Sequence, residues 1–184
     1  MIHDRRDRAL FMLMLRCGLR VEEVARLKLA ALDLRRSQLF VHHGKGAKDR
    51  VVYLSDDAYE ALVQYLRVRP ASRVKEVFLV NKGRCRGQAI SVRGVQKRLE
   101  HYARQAKLKV SCHQLRHTMA TQMLNADAEL STIQDLLGHR WITTTQRYCT
   151  VFNLKVQRDY FKAMEIVMQR SSPISPNSHS RLRH

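Results

Sequence analysis

Two short segments of alternating apolar and polar residues stand in a chain whose other patterns are almost all helical. Residues 38–43 and 50–54 are rich in Val, Phe and Tyr and alternate with the period of a strand. The segment between them, GKGAKD at 44–49, contains the glycines that a tight hairpin needs. The sequence therefore predicts one small antiparallel sheet whose hairpin tip carries lysines.

Apolar residues recur at helical spacing through most of the remaining chain. The first stripe, at residues 4–16, can be capped by Asp4 and ended by Gly18. Further helices are predicted at 21–28, 57–68, 91–106, 113–124, 129–137, 144–150 and 154–168, and a short strand at 77–80. The pattern predicts an α+β fold, mostly α-helical, in one domain over residues 1–168. Residues 169–184 lack acids and are predicted to be a disordered basic tail.

The charge balance is the next constraint. Thirty-four Lys and Arg residues face 16 acids, giving a net charge of +18. Such an excess is typical of a polyanion binder, with a basic but inert surface or a ribosome-like protein as the alternatives. The four cysteines form no C-x-x-C pair, which indicates reduced thiols in a cytosolic protein. No apolar run approaches the ~18 residues that a membrane span requires, so no membrane partner is expected.

Histidines, arginines and a tyrosine are spaced through the second half of the chain. In the run HQLRH, His113 and Arg116 are three apart and share a helix face. His139 follows a glycine that ends the next helix, and Tyr148 comes nine residues later. Arginine clamps phosphate oxygens, histidine exchanges a proton near neutral pH, and tyrosine can be a covalent nucleophile. Together these residues predict a phosphoryl-transfer site that uses no metal.

The order H-x-x-R-H, L-G-H and T-T-x-x-Y resembles the second box of the tyrosine recombinases, the phage integrase family. The run GLRVEEVARL at 18–27 resembles the first box, with Cys17 in place of the family's threonine. The run GKGAKDR at 44–50 resembles the family's lysine hairpin. The resemblance covers about residues 3–165 and implies the integrase catalytic-domain fold, with the small antiparallel sheet carrying the lysine hairpin.

The resemblance implies a site-specific recombinase that cleaves and rejoins DNA through a 3′-phosphotyrosine. Arg20 and Arg116 are expected to bind the non-bridging oxygens of the phosphate, where preorganised donors stabilise the charge of the transition state. Glu23 is expected to have a structural role, holding the arginine or a helix end. Because the covalent link keeps the phosphodiester energy, resealing is expected to need no ATP. The two arginines are expected to replace the divalent ions that nucleases use, and no cofactor is expected.

The remaining catalytic roles also come from the resemblance. Tyr148 is expected to be the nucleophile, assisted by His113 as proton acceptor. His139 is expected to contact the scissile phosphate. Lys45 on the hairpin is expected to protonate the leaving 5′ oxygen, and Lys48 on the same tip is its rival.

Several alternatives accompany these assignments. His117 is next to Arg116 and is expected to point elsewhere on the helix, in a packing role. The rival tyrosines lack the upstream L-G-H spacing, and several of them fall on predicted core faces. They are Tyr53, Tyr59, Tyr65, Tyr102 and Tyr160. At the level of function, the alternatives are a type IB topoisomerase-like enzyme and a non-catalytic DNA-binding remnant of a mobile element.

Double-stranded DNA is the expected partner. The side chains predicted to contact it are Lys48, Arg50, Lys82, Arg84, Arg93 and Lys97. We expect a monomer in isolation, a homo-tetramer on DNA, and a cytoplasmic bacterial protein associated with the nucleoid. Because the chain begins shortly before Arg20, the family's N-terminal DNA-clamping domain is expected to be absent. The last helix is expected to pack either on its own domain or on a neighbouring protomer.

Overall fold

A computed structural model describes residues 2–42, 49–138 and 154–171. Over these ranges the helices are α1 (Arg5–Arg16), α2 (Val21–Ala25), α3 (Asp56–Leu66), α4 (Val92–Gln105), α5 (Cys112–Asn125), α6 (Leu130–Leu137) and α7 (Leu154–Ser171). A 3-10 helix (Leu29–Ala31) precedes the strands β1 (Leu32–Asp33), β2 (Gln38–Val41) and β3 (Arg50–Tyr53). The predicted class, mostly helical α+β with one small antiparallel sheet, is confirmed.

The sheet has the order β1-β2-β3 with antiparallel neighbours. Leu39 lies opposite Val52, and both side chains are fully buried, so the alternation read from the sequence sets the register. Strand β1 was not predicted, because two residues are too few to show a period. The tip of the β2–β3 hairpin, with Lys45 and Lys48, falls in residues 43–48, outside the described part of the chain.

Helix α1 packs against α3 and α5, and the residues that follow it lie beside the end of α6. The carboxylate of Asp4 accepts a hydrogen bond from the backbone N–H of Asp7 at 3.1 Å, as the predicted cap requires. Gly18 has φ 65°, the left-handed exit expected after this helix. A Cβ atom at Gly18 would lie 2.9 Å from a methyl carbon of Leu137. Glycine therefore allows the residues after α1 to approach the end of α6.

Helix α2 ends at Ala25, three residues before the predicted end at 28. The reason is tertiary: the carbonyl of Leu27 accepts a hydrogen bond from the N–H of Val77 at 2.7 Å, and the N–H of Leu29 donates to the carbonyl of Lys75 at 2.8 Å. Residues after Ala25 therefore pair with a distant extended segment instead of continuing the helix.

The strand predicted at 77–80 is not a ladder strand. Leu79 forms an isolated bridge with Ala89. The hydroxyl of Tyr65 donates to the carbonyl of Val77 and accepts from the N–H of Leu79, each at 3.1 Å. A tyrosine side chain thus satisfies backbone groups that a neighbouring strand would otherwise bind.

Helix α7 packs on the domain from which it extends. Tyr160 is fully buried; its hydroxyl donates to the carbonyl of Arg16 at 3.2 Å and accepts from the N–H of Ser55 at 3.1 Å. Thr132 of α6 donates to the carboxylate of Asp159 at 3.2 Å. The last helix was expected to pack either on its own domain or on a neighbouring protomer. In the structure it packs on its own domain. The helix also runs to Ser171, three residues past its predicted end, and the rest of the predicted tail lies outside the described residues.

Candidate functional site

A cleft of about 630 Å³ opens between the start of α2, one face of α4 and the first turns of α5. Arg20, His113 and Arg116 line this cleft together. These residues come from the two predicted boxes, so the fold unites side chains that are far apart in the sequence. Glu22 and Glu100 also line the cleft, which makes its wall mixed in charge.

Arg20 is the residue immediately before α2, and its side chain is 38% exposed. Its Nη1 donates to Oε1 of Glu23 at 2.9 Å, and its backbone N–H donates to Oε2 of Glu23 at 2.8 Å. Glu23 therefore holds both the arginine and the helix end, as expected. The side chain of Glu23 is only 8% exposed, so this contact lies at the edge of the protein interior.

The ionisation of Glu23 is controlled by its arginine partners. Burial alone would raise the pKa of this carboxyl group, but hydrogen bonds and charge from Arg50, and hydrogen bonds from Arg20, lower the pKa to about 2. Glu23 is therefore a carboxylate at all physiological pH values, and it keeps its acceptor oxygens available to both arginines.

Arg116 is buried and is held by two backbone carbonyls. Its Nη1 donates to the carbonyl of Gly18, and its Nη2 donates to the carbonyl of Leu137. Burial and the nearby charges of Arg20 and Arg50 lower the pKa of Arg116 to about 10, with Glu23 opposing the shift. The guanidinium is thus charged near neutral pH, and it sits between the first box and the end of α6.

His113 is exposed and forms a pair with His117, one helical turn further along α5. The two Nε2 atoms are 2.8 Å apart, and the rings meet edge to face with centroids 4.4 Å apart. His117 is exposed, so the expectation of a packing role for it is wrong. It shares a helix face with His113, because positions i and i+4 are neighbours on a helix. At this distance the Nε2 atom of one ring donates a hydrogen bond to the Nε2 atom of the other.

Arg50, predicted to contact DNA, has a different place in the structure. Its side chain is 7% exposed and forms a two-pronged ion pair with Glu23. The sequence held a signal for this burial. Arg50 shares a strand face with Val52 and precedes it by one pleat, and Val52 is fully buried. The guanidinium of Arg50 faces the protein interior, which corrects the prediction that Arg50 contacts DNA.

The other described residues predicted to bind DNA are on the surface. Lys82 and Arg84 are exposed in the turn that follows residue 80. Arg93 and Lys97 are exposed on α4, four residues apart, and share a helix face with Glu100, which lines the cleft. The exposed basic face of α4 therefore borders the cleft.

Five of the six tyrosines lie in the described ranges, and none of them is exposed. Tyr53, Tyr65 and Tyr160 are core residues, whereas Tyr59 and Tyr102 are half-buried. Burial raises the pKa of Tyr160 well above its ordinary value, which disfavours a phenolate there. The sixth tyrosine, Tyr148, lies outside the described residues, and so does His139.

The sequence matches the Phage integrase family over residues 2–154. This chain belongs to the phage integrase family. Among curated proteins, it is 36% identical over 168 residues to tyrosine recombinase XerA of Thermococcus onnurineus (strain NA1), covering 90% of this chain and 59% of the relative. It is 38% identical over 168 residues to tyrosine recombinase XerC of Pelotomaculum thermopropionicum, covering 86% of this chain and 54% of the relative.

The fold of this integrase-family chain is also found in solved structures. The pre-cleavage complex of XerH site-specific recombinase bound to difH substrate superimposes with a TM-score of 0.62 at 24% identity. The match covers 95% of this chain and 47% of that structure. This similarity confirms the predicted integrase fold. The integrase-family chain spans little more than half the length of the curated relatives that it matches.

Over the described ranges, no three histidine, cysteine or acidic side chains converge as ligands for a metal ion. No helix in the same ranges is both long enough and apolar enough to cross a bilayer.

Proposed function

We propose that this chain is the catalytic domain of a site-specific tyrosine recombinase that cleaves and rejoins duplex DNA. One observation carries the proposal: Arg20 from the first box and His113 and Arg116 from the second box line the same cleft. The family membership and the similarity to XerA and XerC support the same activity.

The proposed reaction assigns one task to each group. The phenol oxygen of Tyr148 attacks the phosphorus, a 3′-phosphotyrosyl bond forms, and the bond to the 5′ oxygen breaks. His113 assists as the acceptor of the phenolic proton, and Lys45 gives a proton to the departing oxygen. Arg20, Arg116 and His139 bind the phosphate, where charge-assisted donors stabilise the additional negative charge of the transition state.

The partner and its approach are part of the proposal. Duplex DNA lies across the exposed basic face of α4 and the basic turn after residue 80, where Lys82, Arg84, Arg93 and Lys97 contact phosphates. Lys48 on the hairpin tip is a further contact. We propose that monomers assemble into a homo-tetramer on DNA. The proposed location is the cytoplasm of a cell whose chromosome is also in the cytoplasm.

A suicide DNA duplex tests the proposed function. The duplex carries a nick near the cleavage point, so that the short fragment with the free 5′-OH diffuses away and the covalent complex accumulates. Incubation in excess chelator should still yield a protein–DNA adduct that survives denaturing electrophoresis and is destroyed by protease. Stable binding without any adduct across a library of nicked duplexes would favour the non-catalytic DNA-binding alternative.

The location of the DNA predicts a specific change in salt dependence. Each lysine that contacts a phosphate contributes counterion release, so Lys97→Ala should weaken duplex binding and lower the slope of log K against log salt by about 1. Fluorescence anisotropy at a series of salt concentrations measures both quantities.

Lys162 provides the matched control for this measurement. It is an exposed lysine on α7, so Lys162→Ala removes the same charge from a different helix. Its salt slope should equal that of the wild type. Equal slopes for both variants and the wild type would contradict the placement of DNA along α4.

A further inference from the structure

Arg50 joins three parts of the site through one side chain. It is the first residue of β3, directly after the lysine hairpin. Its Nη1 and Nη2 donate to the two carboxylate oxygens of Glu23 at 2.9 and 2.8 Å. Its Nε donates to the carbonyl of Leu136 at 2.7 Å. All three nitrogens of the guanidinium are thus directed at protein acceptors.

The carboxylate that Arg50 holds is the same one that holds Arg20. Oε1 of Glu23 accepts from Nη1 of both arginines, and Oε2 accepts from Nη2 of Arg50 and the backbone N–H of Arg20. The position of Glu23, and with it the position of Arg20, therefore depends on a residue 27 positions away in the chain.

The other end of the network is the last turn of α6. Arg50 binds the carbonyl of Leu136, and Arg116 binds the next carbonyl, that of Leu137. Helix C-termini leave such carbonyls without intrahelical partners, and their partial negative charge favours cations. The same turn of α6 thus connects Arg50 to Arg116.

We propose that Arg50 is a positioning residue, which fixes Glu23 and the end of α6 and thereby sets Arg20 and Arg116 relative to each other. The inference rests on the proposed function, because it assigns the two positioned arginines to the DNA phosphate. Arg50 itself makes no contact with DNA.

The chemistry of the network explains why this position requires arginine. A guanidinium offers a planar set of N–H donors that reaches two carboxylate oxygens and a carbonyl at once. A lysine ammonium is a single point with three donors and cannot span these acceptors. Arg50→Lys should therefore keep the charge but fail to restore the geometry.

The test compares Arg50→Met, Arg50→Lys and the double variant Glu23→Gln/Arg50→Met with the wild-type chain on suicide DNA. At saturating DNA, each variant should form adduct about 10–100-fold more slowly, since small misplacements of binding groups have effects of this size. The DNA concentration at half-saturation and the salt slope of binding should not change.

Two variants keep the test interpretable. The double variant removes both charges of the Glu23–Arg50 pair, so neither stays buried without its partner. It should therefore fold even if Arg50→Met does not. Arg35→Met is the matched control, because Arg35 is exposed in the turn between β1 and β2. This control should react at the wild-type rate.

The pH dependence separates positioning from a general structural defect. The charged groups placed against Glu23 include Arg20 of its own helix boundary, Arg50 of β3 and Arg116 of α5. Arg50 supplies hydrogen bonds and positive charge that oppose the effect of burial on the Glu23 carboxyl group. Without Arg50, the pKa of Glu23 therefore rises above its value of about 2. The acid limb of the rate profile should move to higher pH in Arg50→Met, but not in Arg35→Met or in the double variant.

An NMR titration makes the result independent of catalysis. The ¹³C shift of the Glu23 carboxyl group in the free protein should report a raised pKa in Arg50→Met. If the wild type forms no adduct, the proposed function fails, and this titration still decides whether Arg50 controls Glu23. A wild-type rate and pH profile in Arg50→Met, an unchanged Glu23 pKa, or a salt slope lowered by about 1 would each overturn the positioning role.

Discussion

Tyr148→Phe should abolish the covalent protein–DNA adduct while leaving duplex binding nearly unchanged. Phenylalanine keeps the ring but has no oxygen to attack the phosphorus, and removing a nucleophile lowers the rate by at least ~10³-fold. The measurement is adduct formation on suicide DNA, together with anisotropy for binding. It addresses the one tyrosine that lies outside the described residues.

The other tyrosines provide the control for this experiment. Tyr59 is half-buried on α3, and Tyr59→Phe removes the same hydroxyl group from a position away from the cleft lining. It should form adduct at the wild-type rate. Adduct formation by Tyr148→Phe at that rate would mean that another residue is the nucleophile.

Arg20→Ala gives a second comparison on the same substrate. The loss of one preorganised donor to a developing charge lowers rates by about 10²–10³-fold. Arg20 is the cleaner choice of the two arginines, because Arg116 also binds the carbonyls of Gly18 and Leu137. Arg116→Ala would leave those buried carbonyls without donors and would confuse lost chemistry with lost stability.

The elements that follow from local pattern were predictable from the sequence. Asp4 caps α1, Gly18 has the left-handed conformation after it, and β2 and β3 alternate as expected. Each of these features depends on neighbouring residues and on the period of the apolar residues. The arginines and the histidine of the described site were also found from the sequence, because their spacing matches a family pattern.

The features that could not be predicted depend on partners distant in the chain. Arg50 and Glu23 are both charged, yet they bury each other across a separation of 27 residues. Helix α2 ends early because Leu27 pairs with Val77. The local sequence predicts neither feature, apart from the strand face that Arg50 shares with Val52.

Deletion of residues 153–184 should destroy cooperative folding of the domain. Helix α7 buries Val156, Tyr160, Ala163, Met164 and Val167 in the common core. At ~1.5–3 kcal/mol for each of the four larger side chains, the lost burial is about 6–12 kcal/mol, which is comparable to the whole stability of a typical domain. Differential scanning calorimetry should show no sharp transition for the truncated chain.

Point variants on α7 make the same prediction in graded form. Tyr160→Phe keeps the buried ring but leaves the Ser55 N–H and the Arg16 carbonyl without this partner, which should lower the free energy of unfolding by about 1–3 kcal/mol. Lys162→Ala alters an exposed position on the same helix and should change it by less than about 0.5 kcal/mol. Urea denaturation followed by circular dichroism measures both values.

The truncation also separates the two expected roles of the last helix. Packing on its own domain predicts that the isolated monomer loses its thermal transition. Exchange between protomers predicts that the monomer keeps its transition temperature but loses cooperative assembly on DNA. The hydroxyl of Tyr160 is hydrogen-bonded to Arg16 at the end of α1 and to Ser55 at the start of α3. These bonds favour the first outcome, because they join α7 to two helices of its own domain.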